Sequence, residues 1–286
     1  MNVKHFNTRS ISVKRAVLGF SGWPDAGRIV EHTLGEFKRG IPHEPLADWD
    51  MDGFWHAEST RPRITVHHGR IRDLKWPVYH FWIMNPETSP PILLGAGPEP
   101  TIFWRPFVDQ LVELLRGWEC EELYLLGGLY DHITHEETVV SGVGQDIKAY
   151  NQLHALQCHR TEYQGPGAIH SSIMTAAHES GIHCLAFWAH YPFYLSGRHE
   201  SLMARLLGIL GQLLNLTIET RHLTARWERR TQDIEETIQK NDDLMEMLES
   251  IKKGQVRRPF FGESSKVVRL DEFVKRREES PFNKDP

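Results

Sequence analysis

Residues 15–27 read Arg-Ala-Val-Leu-Gly-Phe-Ser-Gly-Trp-Pro-Asp-Ala-Gly. Arg15 to Phe20 is a short apolar run that fits a buried strand. Gly22, Pro24 and Gly27 then force a turn, and Pro24-Asp25 suits the opening of a helix. From Ala26 to Phe37, the residues Ile29, Val30, Thr33, Leu34 and Phe37 recur on roughly one face. Strand, glycine-rich loop and helix in that order make the first unit of an α/β layer fold.

Working outward, short strands are predicted at 46–54, 64–68, 78–84 and 90–94, the third of them (VYHFWIM) strongly strand-forming. Phe103 to Arg116 is an amphipathic helix with Phe107, Leu111, Leu114 and Leu115 on one side, ended by Gly117. Glu122 to Leu126 returns as a buried strand closed by Gly127-Gly128, and helix-then-strand fits parallel crossover connections. Val139-Val140 is compatible with a strand, and 145–156 is read as a helix. Ala168 to His178 is a helix ended at Gly181, Ile182 to Trp188 a third buried strand, and Ser201 to Leu214 a leucine-rich closing helix. One domain, 1–218, is the simplest division.

Composition shifts near Thr217. Residues 219–254 are mostly charged but carry a stripe of Leu223, Trp227, Ile234 and Ile238, and Asn241-Asp242-Asp243 can cap a second helix with Leu244, Leu248 and Ile251. Such a stripe must bury against something. Either the parent domain or a neighbouring subunit would serve, and the stripe makes this appendage the candidate subunit contact. Residues 255–286 read as a polar tail, ordered in part or only in an assembly.

Bulk properties exclude several classes. The chain has 286 residues, 40% hydrophobic and 25% charged, so it should fold. A net charge of −5 argues against a nucleic-acid partner, and the basic runs Arg229-Arg230 and Lys275-Arg276-Arg277 sit among glutamates. Cys120, Cys158 and Cys184 are too widely spaced for a disulfide framework or zinc ribbon. Met1 to Ser10 lacks an apolar signal core, and no stretch approaches the ~18 apolar residues of a membrane span. A reducing cytoplasm and no membrane are the inference.

The first loop has neither G-x-G-x-x-G nor G-x-x-x-x-G-K-[ST]. Pro24 lacks the amide that would cradle phosphate, and Asp25 puts a negative charge where phosphate would need the helix field. No cofactor is predicted. His132, His135 and Glu136 (DHITHEE), with Asp131 beside them, are the most metal-like group. Their spacing is not H-E-x-x-H, no second cluster lies near in sequence, and 17 histidines make chance proximity common, so no metal is predicted. Ser21, Ser141 and Ser196 lie near glycines without the G-x-S-x-G elbow, and Cys184 falls inside a buried strand. Arg105 opposes the dipole of its helix start and calls for a carboxylate partner, Asp25 or Glu99. His190 to Tyr194 falls at a carboxyl strand end, where α/β folds keep their sites, and suits an interface equally well.

Five segments in order then carry a family resemblance: Gly19–Gly27 (GFSGWPDAG), Leu94–Arg105 (LGAGPEPTIFWR), Leu125–Leu129 (LLGGL), Tyr163–Ile169 (YQGPGAI) and Leu185–Tyr194 (LAFWAHYPFY). Together they resemble the PAC2 family, which includes proteasome assembly chaperone 2, over about residues 12–250. The resemblance implies a three-layer α/β/α domain with a mostly parallel sheet, similar to phosphorylase/hydrolase-like folds, plus a C-terminal helical extension. It implies homo-oligomers, trimers favoured, and ATP-independent assembly chaperoning of a protein client. It brings no catalytic residues. Its signature positions here are Gly22, Trp23, Asp25 and Gly27; Glu99, Pro100 and Trp104; Gly165, Pro166 and Gly167; and Trp188, His190 and Tyr194. Two departures are Thr134-His135-Glu136-Glu137-Thr138, where relatives carry a Pro-His-Thr-Arg-Pro-like run, and Tyr191-Pro192-Phe193-Tyr194 in place of Pro-His-Tyr. The expectation is a non-catalytic scaffold. Its rival is an enzyme or small-molecule binder with a strand-end cleft lined by Asp25, Glu99, Arg105, His135 and His190.

Overall fold

The computed structural model describes residues 3–6, 11–87 and 90–254; the tail expected over 255–286 lies outside them. β1 (Val3–His5) precedes β2 (Arg15–Ser21), the strand of the opening stretch, and a 3-10 turn leads into α1 (Ile29–Gly40). β3 (His43–Asp50), β4 (Arg63–His67), β5 (Arg70–Lys75), β6 (Val78–Met84) and β7 (Ile92–Pro98) follow without an intervening helix. Next come α2 (Trp104–Gly117), β8 (Glu122–Asp131), β9 (Val140–Gly144), α3 (Ile147–Ala155), β10 (His159–Arg160) and α4 (Ile169–Glu179). β11 (His183–Pro192), α5 (Glu200–Leu214), α6 (Arg221–Gln239) and α7 (Asp242–Lys252) complete the described chain.

Nine strands form one sheet in the order β1-β3-β6-β7-β2-β8-β11-β9-β10, and β4 and β5 pair apart from it. The centre, β7-β2-β8-β11, is parallel. β1, β3 and β6 run antiparallel to their neighbours, β6 is antiparallel to β7, and β9 is antiparallel to β11. The sheet is therefore mixed, which corrects the expectation of a mostly parallel one. The cause is connectivity: parallel neighbours need a crossover, and the run from β3 to β7 has no helix to provide it.

Alternate side chains of the central strands enter opposite cores, as the two-residue strand period requires. In β2, Ala16, Leu18 and Phe20 face one core and Val17 the other; in β8, Leu123 and Leu125 oppose Tyr124 and Leu126. α1, α3 and α5 cover the Val17 face, and α2 and α4 cover the Leu18 face. α6 and α7 extend the first layer. Leu223, Ile234, Ile238, Leu248 and Ile251 join the same core as α1 and α5, and Trp227 stacks on His199 with ring centroids 3.9 Å apart. Arg230 Nη2 donates to the Ser196 carbonyl at 2.6 Å. The stripe is spent on the parent domain, so it is not a free subunit contact. No helix among the described residues is long and apolar enough to cross a membrane.

The uncovered apolar surface lies elsewhere. The β4–β5 hairpin pairs Ile64 with Leu74 and Val66 with Ile71, and these side chains are 55%, 48%, 56% and 68% exposed. Cross-strand partners share a face, so the hairpin presents an aliphatic face to solvent, with exposed Trp76 at its base.

Candidate functional site

The loop after β2 is built around Asp25. Its Oδ1 accepts the Val30 N–H at 2.7 Å and its Oδ2 the Glu31 N–H at 3.4 Å, which satisfies donors that α1 leaves free in its first turn. The Gly128 N–H donates to the Pro24 carbonyl at 2.7 Å and ties the loop to β8. Burial raises the Asp25 carboxyl to about 7, overcoming the two backbone hydrogen bonds that favour its ionised form. Gly27 adopts φ +60°, and a Cβ there would fall 2.3 Å from the Tyr191 ring. Gly22 also has positive φ, and Trp23 beside it is 52% exposed.

Glu99 follows β7. Its Oε1 accepts the Ile169 N–H at 2.9 Å and so closes the N-terminus of α4. Burial raises this carboxyl too. Trp104 Nε1 donates to the Pro100 carbonyl at 2.6 Å and fixes the entry into α2. Arg105 is exposed and forms no ion pair with Asp25 or Glu99, so the pairing proposed from its position is not made. Gly165 and Gly167 lie in the exposed loop before α4, where the Tyr163 hydroxyl donates to the Pro166 carbonyl at 2.9 Å.

One polar group spans three neighbouring strands, β8, β11 and β9. Trp188, His190 and Pro192 share one face of β11; register sets Pro192 beside Asp131 of β8 and Trp188 beside Ser141 of β9. His190 thus has one polar neighbour on each side. Its Nδ1–H donates to Asp131 Oδ2 at 2.7 Å, and the Ser141 hydroxyl donates to its Nε2 at 2.8 Å. The carboxylate can only accept, which fixes this tautomer. Asp131 Oδ1 also accepts the His132 N–H at 2.7 Å. An Asp–His–Ser chain can in principle activate a hydroxyl for acyl transfer, but Ser141 is only 1% exposed. Trp188 packs on Gly127, where a Cβ would fall 2.6 Å from the ring, and on His170 at 4.7 Å between centroids. Burial lowers the His170 imidazole to about 4, and its Nε2–H donates to the Leu126 carbonyl at 2.8 Å.

His135 and Tyr194 form a separate pair. The Tyr194 hydroxyl oxygen accepts the His135 backbone N–H at 2.7 Å and lies 2.8 Å from His135 Nδ1. Burial lowers the His135 imidazole, so it is neutral near pH 7. His132 packs instead on Phe193, with centroids 4.6 Å apart. Asp25, Glu99, His135 and His190 are each committed to different partners, and Arg105 points to solvent. The sequence also left the Ser141 and Asp131 connections and His170 undetected. No linear spacing encodes them, because they arise from strand register and from α4 packing on β11.

A mixed sheet between two helical layers, with a helical extension docked on one of them, defines the class of this α/β domain. The chain belongs to the PAC2 family, whose pattern matches residues 19–238. It is similar to the Mycobacterium tuberculosis proteasome-assembly chaperone homologue Rv2125, at 26% identity over 82% of this chain and 99% of that one, with a TM-score of 0.73. A PAC2 family protein from Streptomyces avermitilis shares 22% identity over 82% and 99% of the two chains, with a TM-score of 0.69. Pyrococcus furiosus PbaA, an archaeal homologue of proteasome-assembly chaperone, shares the fold at 14% identity over 89% and 100%, with a TM-score of 0.54. No curated protein matches the chain.

Proposed function

We propose that this chain is a non-catalytic assembly chaperone or scaffold that works without ATP as a cytoplasmic homo-oligomer, a trimer by preference, and holds a protein client. Support comes first from the PAC2 match and from the description of Rv2125 as a proteasome-assembly chaperone homologue. The observation that carries the oligomer is the hairpin. An isolated two-stranded hairpin is at best marginally stable in water, yet β4–β5 exposes Ile64, Val66, Ile71 and Leu74 on one face. A second copy of the chain covers that face. Light scattering coupled to size exclusion tests this: the wild type should run as an oligomer at micromolar concentration, and the double variant Ile64→Glu/Ile71→Glu as a folded monomer. A monomeric wild type would overturn it.

A hydrolytic reading is favoured by one observation, the Asp131–His190–Ser141 chain. The burial of Ser141 opposes it. Labelling of the intact protein by a fluorophosphonate, lost in Ser141→Ala, would support it; an unlabelled wild type leaves the chain as a tie between strands.

A further inference from the structure

His135 is 4% exposed, and its Nε2 has no hydrogen-bond partner among the described residues. A buried ring nitrogen left unpaired is unfavourable, and each such group calls for an explanation. Its opposite nitrogen is engaged by Tyr194, so the ring is held in place. Two carboxylates stand beside it: a ring nitrogen of His135 and one oxygen each of Glu136 and Glu235 lie within 4.8 Å of one another. Glu136 follows His135 in the loop after β8, whereas Glu235 arrives from α6. Glu136 also pairs with Lys252 of α7 at 3.2 Å, so both extension helices meet the core here.

We propose that His135 Nε2, Glu136 and Glu235 bind a divalent cation of the zinc–cobalt class, which staples α6 to the loop after β8. One imidazole and two carboxylates form a ligand set suited to Zn²⁺, with solvent in the fourth position. The imidazole disfavours Mg²⁺ and Ca²⁺, which take oxygen ligands. Ligand atoms around tetrahedral zinc sit about 3.4 Å apart; both glutamates are exposed, and Glu136 exchanges its Lys252 pair for the cation as the gap closes. The tautomer whose Nδ1–H donates to the Tyr194 oxygen leaves the Nε2 lone pair available, and such outer partners orient metal-bound histidines. Two carboxylates match the charge of the cation. His132, the other histidine of the DHITHEE run, is absent from the cluster.

The test uses the full chain stripped with a chelator and titrated with Co²⁺, read by calorimetry and by visible absorption. The wild type should take up one equivalent with d–d bands, and its melting temperature should rise with Co²⁺. Glu235→Gln and Glu136→Gln should each weaken binding at least ~10-fold and lose the thermal shift, while their circular dichroism without metal matches wild type. His132→Ala should bind as wild type. No stoichiometric uptake by the wild type, unchanged binding in Glu235→Gln, or a loss in His132→Ala equal to that in Glu235→Gln would each overturn the assignment.

Discussion

Replacing Asp25 by Asn tests whether burial or hydrogen bonding controls the first loop. Asn keeps the oxygen that accepts the Val30 N–H at 2.7 Å and removes the charge. In the fold the carboxyl is raised from 3.8 to about 7, with desolvation the largest cause; Glu31 raises it further, and Arg28 and the two backbone N–H groups oppose. At ~1.4 kcal/mol per pH unit, ionising Asp25 in the fold costs about 4 kcal/mol relative to the unfolded chain. The folded state therefore binds the extra proton between the two values, and stability falls as pH rises from 3.8 to about 7. Below that window the wild type and Asp25→Asn should be alike. Above it the variant should be the more stable by up to about 4 kcal/mol. Urea denaturation of both proteins at pH 4, 5, 6, 7 and 8 gives the difference directly. A difference independent of pH across that range would refute the burial-dominated account. A difference that grows in favour of the wild type would show that the helix N–H groups win.

Gly27→Ala places a Cβ 2.3 Å from the Tyr191 ring on a backbone at φ +60°, and should cost about 2–3 kcal/mol by urea denaturation. Glu99→Ala removes the acceptor of the Ile169 N–H and should cost ~1 kcal/mol, while Glu99→Gln, which keeps an oxygen there, should recover most of it in the same assay. Trp227→Ala removes the ring stacked on His199 and should speed amide hydrogen exchange across α6 while leaving β2 and β8 protected; unchanged α6 exchange would mean that Leu223, Ile234 and Ile238 suffice to dock it.

What the chain discloses before folding follows from burial. β2, β8 and β11 are covered on both faces, so their runs are almost continuously apolar and stand out. β5 does not, because it is exposed and charged, and the shift in register between Thr65 and Val66 sets Ile71 and Leu74 three apart instead of two. Strand direction was legible only through connectivity: the successive strands predicted between 46 and 94 have no helix between them for a parallel crossover, which already argues for antiparallel pairing there. The site residues divide the same way. Asp25 and Glu99 could be singled out because glycines and prolines frame them. Their partners could not, since Ile169 lies far along the chain from Glu99. Likewise, His135 was visible as part of a histidine–glutamate run, but Glu235 reaches it only because α6 docks.

The two capping carboxylates, Asp25 and Glu99, bear on function through where they sit. The N-terminus of a helix at a carboxyl strand end is the usual anion site of an α/β fold. Here Asp25 occupies that position at α1 and Glu99 at α4, each holding backbone N–H groups a phosphate would otherwise use. An anionic ligand at either helix would have to displace a side chain of the protein itself and reopen a loop that it closes. His190 is likewise satisfied on both ring nitrogens. The strand ends are thus stiffened by groups that in an enzyme would face substrate. The β4–β5 hairpin instead leaves an exposed aliphatic face, and such a face is answered by another protein surface better than by a small molecule. That difference in what remains unsatisfied supports the scaffold reading proposed above.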